Sequence, residues 1–157
     1  MKIGQLKFQA LFFAMIVMAG IMGLSNTVQA QLIKPVTVKS TKGFDETVDA
    51  LKKAVSGGGM MVLSEINQGK IMEMSGMKMN AESIFVGNPT VGKQAFDEDP
   101  SVGLSIPVRI NVYESNGVTY VNYFKPSDLF PSGSKKLKMI GEMLNGKLEM
   151  MMKMVSM

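Results

Sequence analysis

The chain contains neither cysteine nor histidine, so disulfide and zinc frameworks, the usual supports of small exported domains, are closed to it. Packing alone must hold it together. The same absence removes thiolate nucleophiles, Ser-His-Asp triads and ordinary zinc centres from the chemistry open to it.

The first thirty residues read as a secretory leader. A basic stretch from Lys2 to Lys7 precedes an apolar run from Ala10 to Leu24, and Val28 with Ala30 supplies the small-residue pattern of a signal-peptidase site. The run has fifteen residues, short of the ~20 that cross a bilayer comfortably. Cleavage near Ala30 is expected, giving a soluble protein, periplasmic or secreted. The alternative is a retained anchor, with Phe8 and Phe12 lengthening a tilted span. In the main reading the membrane is touched only through the leader before cleavage. No Cys follows the apolar run to carry a lipid.

Residues 31–157 remain, enough for one domain with a real core. The formal charge of +4 for the chain falls to +2 once Lys2 and Lys7 leave with the leader. So small a balance gives no basic face for nucleic acid.

Strand and helix patterns follow one another along this domain. Val36 and Val38 alternate with polar neighbours over 35–39, as in a half-buried strand. Phe44, Val48, Leu51 and Val55 recur at helical spacing behind Asp45 and Glu46, acids placed where the helix dipole favours them. Gly57-Gly58-Gly59 ends that helix; it lacks the Lys and Ser/Thr of a phosphate-binding loop. A strand over 60–66, a short helix over 68–75 and a strand over 83–86 follow. Asn88-Pro89 is a helix start, the Asn as N-cap and the Pro in the first turn, and the helix runs to about Glu98. Strands over 104–114 and 118–124 flank the hairpin signal Ser115-Asn116-Gly117. The last helix covers 134–155.

The order Gly43-Phe44-Asp45-Glu46-Thr47, Val62-Leu63-Ser64-Glu65-Ile66, Gly87-Asn88-Pro89, Asp99-Pro100, Gly103, Ile106-Pro107 and Val112-Tyr113-Glu114 resembles the bacterial family filed as domain of unknown function 302. The resemblance implies a single small α+β domain, a curved and mainly antiparallel sheet covered by helices with a C-terminal helix, associating in pairs. It speaks to fold and not to activity. Many relatives carry Cys where this chain has Gly87 and Val108, so a thiol mechanism at those places is not shared.

Methionine is the chemical peculiarity. Of seventeen, four (Met1, Met15, Met18 and Met22) belong to the leader. At about 100° per residue, Ile140, Leu144, Leu148, Met151 and Val155 form the core stripe of the last helix. Met139, Met143, Met150, Met154 and Met157 gather in a separate sector about 60° wide beside it. A second group is Met72, Met74, Met77 and Met79. A hairpin turn at Ser75-Gly76 would put all four on one side, whereas the resemblance favours a helix ending at Gly76, in which they diverge. Thioether sulfur is a soft neutral donor that suits Cu(I). Metal binding through Met139, Met143, Met150 and Met154, with Met72 to Met79 as a second or joint site, is one expectation. The other is that the methionines fill core and a greasy homodimer or partner interface, since methionine is an adaptable apolar filler.

The acidic run Asp97-Glu98-Asp99 does not converge on one centre, and no carboxylate pair can be chosen from Glu65, Glu82 and Glu114 by sequence. No enzyme class is indicated. The expected role is a binding module and not a catalyst; a weaker alternative is a small-ligand protein or enzyme with a pocket around Asn88, Pro89 and Pro107.

Overall fold

In the computed structural model, residues 32–157 are described; the leader, its cleavage site near Ala30 and the alternative anchor lie outside them. Valine and isoleucine at alternate positions make five strands: β1 (Val36–Lys39), β2 (Met61–Asn67), β3 (Ala81–Gly87), β4 (Val108–Ser115) and β5 (Val118–Tyr123). They form one antiparallel sheet in the order β1-β5-β4-β3-β2. Because side chains alternate along a strand, Ile84, Val86, Ile110, Val112 and Val121 all point to one face and are buried there. The chain is an α+β protein, and its C-terminal helix is present.

Helices cover that valine face. Helix α1 (Phe44–Gly57) contributes Val48, Leu51 and Val55, and α3 (Pro89–Glu98) contributes Ala95. Two more, α4 (Pro126–Leu129) and α5 (Lys135–Ser156), follow the last strand. The core seam of α5 is Leu137, Ile140, Leu144, Leu148, Met151 and Val155, all buried. Ser40, just past β1, ties three elements together: its Oγ accepts from Thr47 Oγ1 at 2.8 Å and donates to the Val155 carbonyl at 3.2 Å. The remaining helix, α2 (Gln68–Glu73), lies over the opposite face of the sheet, where Ile71 and Met72 approach Asn111 and Tyr113.

Local signals account for most boundaries. Asn88 caps α3 by accepting from Thr90 N and Val91 N at 3.0 and 3.2 Å, and Pro89 fills the first turn. Asn116 and Gly117 both have positive φ, 52° and 71°, as a tight type I′ hairpin requires. Helix α2 stops at Glu73, two residues short of the expected Ser75, and a turn ending at Gly76, φ 81°, follows it, so Met72 alone of the four methionines is helical and no hairpin forms at Ser75-Gly76.

Three details differ from the sequence pattern. The strand expected from Leu104 begins only at Val108, because Asp99 accepts from Ser101 N at 2.8 Å and starts a 3-10 turn over Pro100–Leu104. That turn is anchored by buried Val102, and Pro107, which has no N–H for a ladder, follows a cis peptide bond. Strand β3 starts two residues earlier than expected, at Ala81. Helix α4 is additional to the expected elements; Pro126 at its start is the local cause.

Helix α5 contains two glycines with opposite surroundings. A Cβ on Gly141 would stand 2.8 Å from Ser127 Cα and 3.0 Å from Ser127 N, backbone that cannot swing aside, whereas one on Gly146 meets nothing within 4 Å. Gly141→Ala is therefore expected to destabilise by about 1–3 kcal/mol, the usual cost of overpacking, although alanine favours helix. Gly146→Ala should stabilise by about 0.5–1 kcal/mol. Urea unfolding of both variants checks the pair, and equal effects of one sign would show that α5 does not seat on α4 as described.

Candidate functional site

Met139, Met143, Met150, Met154 and Met157 of α5 stand where the helical arc puts them, outside the core seam, whereas Met151 and Met152 are buried in the core. Met139, Met143, Met150 and Met154 are 61%, 42%, 60% and 44% exposed, and Met157 is exposed beyond them. At 1.5 Å per residue the first and last of the four are about 22 Å apart along the axis. They cannot share one ion. They divide into Met139 with Met143, and Met150 with Met154 and Met157, neighbours one turn apart whose Cβ atoms lie about 5–6 Å from each other. Met150 and Met154 line a groove between α1 and α5 of about 530 Å³, with Met151 and Ala54 at its base and Lys53 and Lys147 beside it. The Lys147 ammonium donates to the Gly58 carbonyl at 2.6 Å.

The second methionine group divides as well. Met74 is 89% exposed and Met77 also faces solvent, while Met72 and Met79 line a hollow of about 610 Å³ on the sheet face under α2. Gly69 makes the close approach possible. A side chain there would collide with the Met79 carbonyl. Ile66, Ile71, Asn111, Tyr113 and Asn122 complete much of the lining.

Asn88, Pro89 and Pro107 are brought near one another but into neither hollow. Asn88 uses its Oδ1 as the α3 cap, and its Nδ2 donates to the Gly59 carbonyl at 3.0 Å. Pro107 lies with its Cβ 3.9 Å from where a Cβ on Gly87 would stand.

Coordinates also select a carboxylate pair that sequence could not. Lys52 on α1 meets Glu65 of β2 at 2.5 Å and Glu82 of β3 at 3.9 Å. The Lys52 ammonium, hydrogen-bonded to Glu65, is held above the usual lysine range, and the same bond draws Glu65 below the usual carboxylate range. Burial first, then the hydrogen bond shared with Glu65, pushes Glu82 up. None of the three lines either hollow; they clamp α1 to the sheet. Among the described residues no group of three or more carboxylates, His or Cys is arranged to hold a metal ion. None of the described helices is long and apolar enough to cross a membrane.

The signs of these shifts oppose each other. Glu82, whose folded carboxyl is raised, contributes stability that is complete below the ordinary Glu range near ~4.3 and is lost as pH rises through its folded value. Glu65, lowered, contributes above that range and loses its part as pH falls through its own folded value. Glu82→Gln keeps a donor for Glu65 and removes the buried charge. The variant is expected to melt higher than the parent at pH 7, with a smaller advantage at about pH 4, below the ordinary Glu range, because the raised Glu82 carboxyl of the parent has taken up its proton on the way down. Melting curves at the two pH values decide it; an advantage that does not shrink, or a lower midpoint at pH 7, contradicts the assignment.

Comparison with known proteins bears on the fold. A family model described as "Domain of unknown function DUF302" matches residues 36–155. The chain is similar to the crystal structure of an uncharacterized conserved DUF302 protein from Bacillus stearothermophilus, with a TM-score of 0.73 and 23% identity over 79% of this chain and 99% of that one. None of the curated proteins matches. With the match running from β1 to the last turn of α5, this chain belongs to the DUF302 family.

Proposed function

We propose that the protein is an exported binding module, not a catalyst, that takes a soft cation, Cu(I), on the thioethers of α5. The supporting observation is the free methionine flank. Four large apolar side chains are left 42% to 61% exposed on the very helix whose adjoining arc is fully buried. Met150, Met154 and Met157, at i, i+4 and i+7, offer three soft donors on one face, and Met139 with Met143 offers two.

The electrostatics support a soft ion over a hard one. Calcium and magnesium are held by oxygen donors and by charge, and the groove at Met150 and Met154 offers lysines in place of carboxylates. Thioethers bind Cu(I) through soft bonding and need no opposite charge. A flank rich in sulfur and lined by cations therefore disfavours the common hard cations while leaving Cu(I) a set of ligands. The basic and apolar pattern of the first thirty residues supports export in the same reading.

Titration of the purified protein with Cu(I) against a competing chelator tests the proposal. Retention of at least one Cu(I) per chain is expected, with the loss of that binding on changing Met139, Met143, Met150 and Met154 together to Leu. A Leu variant that binds as much copper as the parent overturns it. If those Leu replacements instead leave self-association intact while charged replacements at the same positions abolish it, the flank is an apolar contact surface between copies of the chain, and copper plays no part.

A further inference from the structure

The face of the sheet away from α1 and α5 carries a row of polar side chains at one level. Ile66, Ser83, Asn111 and Asn122 are direct cross-strand partners in successive strands from β2 to β5, so all four side chains rise on the same face. Two of them, Asn111 and Asn122, line the 610 Å³ hollow under α2, and so does Ile66. Ser83, held in register between Ile66 and Asn111, is only 2% exposed and lies beneath the lining.

This floor carries orphaned polar atoms. Asn111 donates its Nδ2 to Asn122 Oδ1 at 3.2 Å. Its own Oδ1, and Ser83 Oγ beside it, are buried and find no hydrogen-bond partner among the described residues. A buried polar group without a partner costs about 1–3 kcal/mol, and proteins rarely carry two side by side without use. An amide oxygen only accepts, so the group that completes the pair must bring an N–H or O–H.

The walls limit the occupant further. Ile66, Ile71, Met72, Met79 and Tyr113 surround the polar floor, and no charged residue is among the lining. A charged ligand would enter apolar surroundings with nothing to pair it, at high cost. Tyr113 is steadied by stacking on Tyr120, ring centroids 5.4 Å apart, and offers a rigid flat wall. The volume lies within the ~300–1,000 Å³ typical of small-molecule sites.

We propose that the sheet-face hollow under α2 is a binding site for an uncharged small molecule with a hydrogen-bond donor on a flat apolar body, the donor meeting Asn111 Oδ1 and the body lying between Met72, Met79 and Tyr113. The site is independent of the copper reading, which concerns the thioethers of α5. Met72 and Met79 serve here as pliable walls, a role thioethers fill well because the unbranched side chain adapts to the shape it meets.

Two probes with one ring system test it: 1-naphthol, which has the donor, and 1-methoxynaphthalene, which does not. Binding is followed on the protein labelled with ¹³C at the methionine methyls. The expected result is saturable 1-naphthol binding that moves Met72 and Met79 and leaves Met139 and Met143 in place, at least about tenfold tighter than the methoxy probe. Asn111→Ala, which removes the acceptor from the sheet face, should narrow that difference. Equal affinities for the two probes, no saturable binding, or shifts confined to the α5 methyls overturn the proposal. Both probes are compared on the unaltered protein, so this outcome does not depend on a variant folding. Loss of copper binding in the α5 variant leaves naphthol binding unchanged, so the two readings fail separately.

Discussion

Leu137, Ile140, Leu144, Leu148, Met151 and Val155 of α5, pressed on the valines and isoleucines of β3, β4 and β5, are the contact on which the rest of the molecule depends. A chain with no cysteine has no covalent substitute for it. At roughly 25 cal/mol per Å² of apolar surface removed from water, a seam running the length of a long helix is a large contribution for so small a domain. Its position has two consequences. It turns one arc of α5 inward and so leaves another arc outward, and it places the thick layer of the protein on one face of the sheet, leaving the other face, among the described residues, to the short helix α2.

Both candidate sites are products of that asymmetry. The methionine flank exists because a helix packed on one side has a rim where apolar side chains are neither buried nor fully wetted. The hollow exists because α2 covers the second face only in part. The two surfaces differ in chemistry. The flank is rich in sulfur and bordered by Lys53 and Lys147, while the hollow is lined by uncharged residues and has the amides of Asn111 and Asn122 at its base. Such different surroundings suit the two occupants proposed for them, a soft cation in one case and a neutral organic molecule in the other.

Local signals are legible in the sequence wherever a feature is decided by neighbours along the chain. The Asn88-Pro89 helix start, the Asn116-Gly117 turn and the separation of methionine from aliphatic positions on α5 each depend on spacings of a few residues. The 3-10 turn at Pro100–Leu104 is hard to read because Val102 and Leu104 look like the alternating start of a strand; Asp99 accepting from Ser101 N decides otherwise. The hollow is hidden for a different reason. Its floor takes single residues from separate strands, Asn111 and Asn122, each of which reads alone as an ordinary outward position. The available clue is asparagine itself: it is disfavoured in strands, and here it occurs on two adjacent ones, at facing positions.

Register connects the core to that floor. A slip of one residue in β4 would carry Asn111 and Tyr113 into the valine core and expel Ile110 and Val112 to the open face. The buried seam therefore holds Ser83, Asn111 and Asn122 in line as firmly as it holds the fold, and the polar row is preorganised by packing on the opposite side of the sheet. The roof is under no such constraint. Ile71 and the segment from Met74 to Met79 make few buried contacts and are largely exposed, so substitutions there can reshape the hollow without disturbing the core. In the proposed reading, a fixed polar floor beneath an adjustable apolar roof would let one scaffold accept ligands of different outline while demanding the same donor from each, the site and not the fold setting the function.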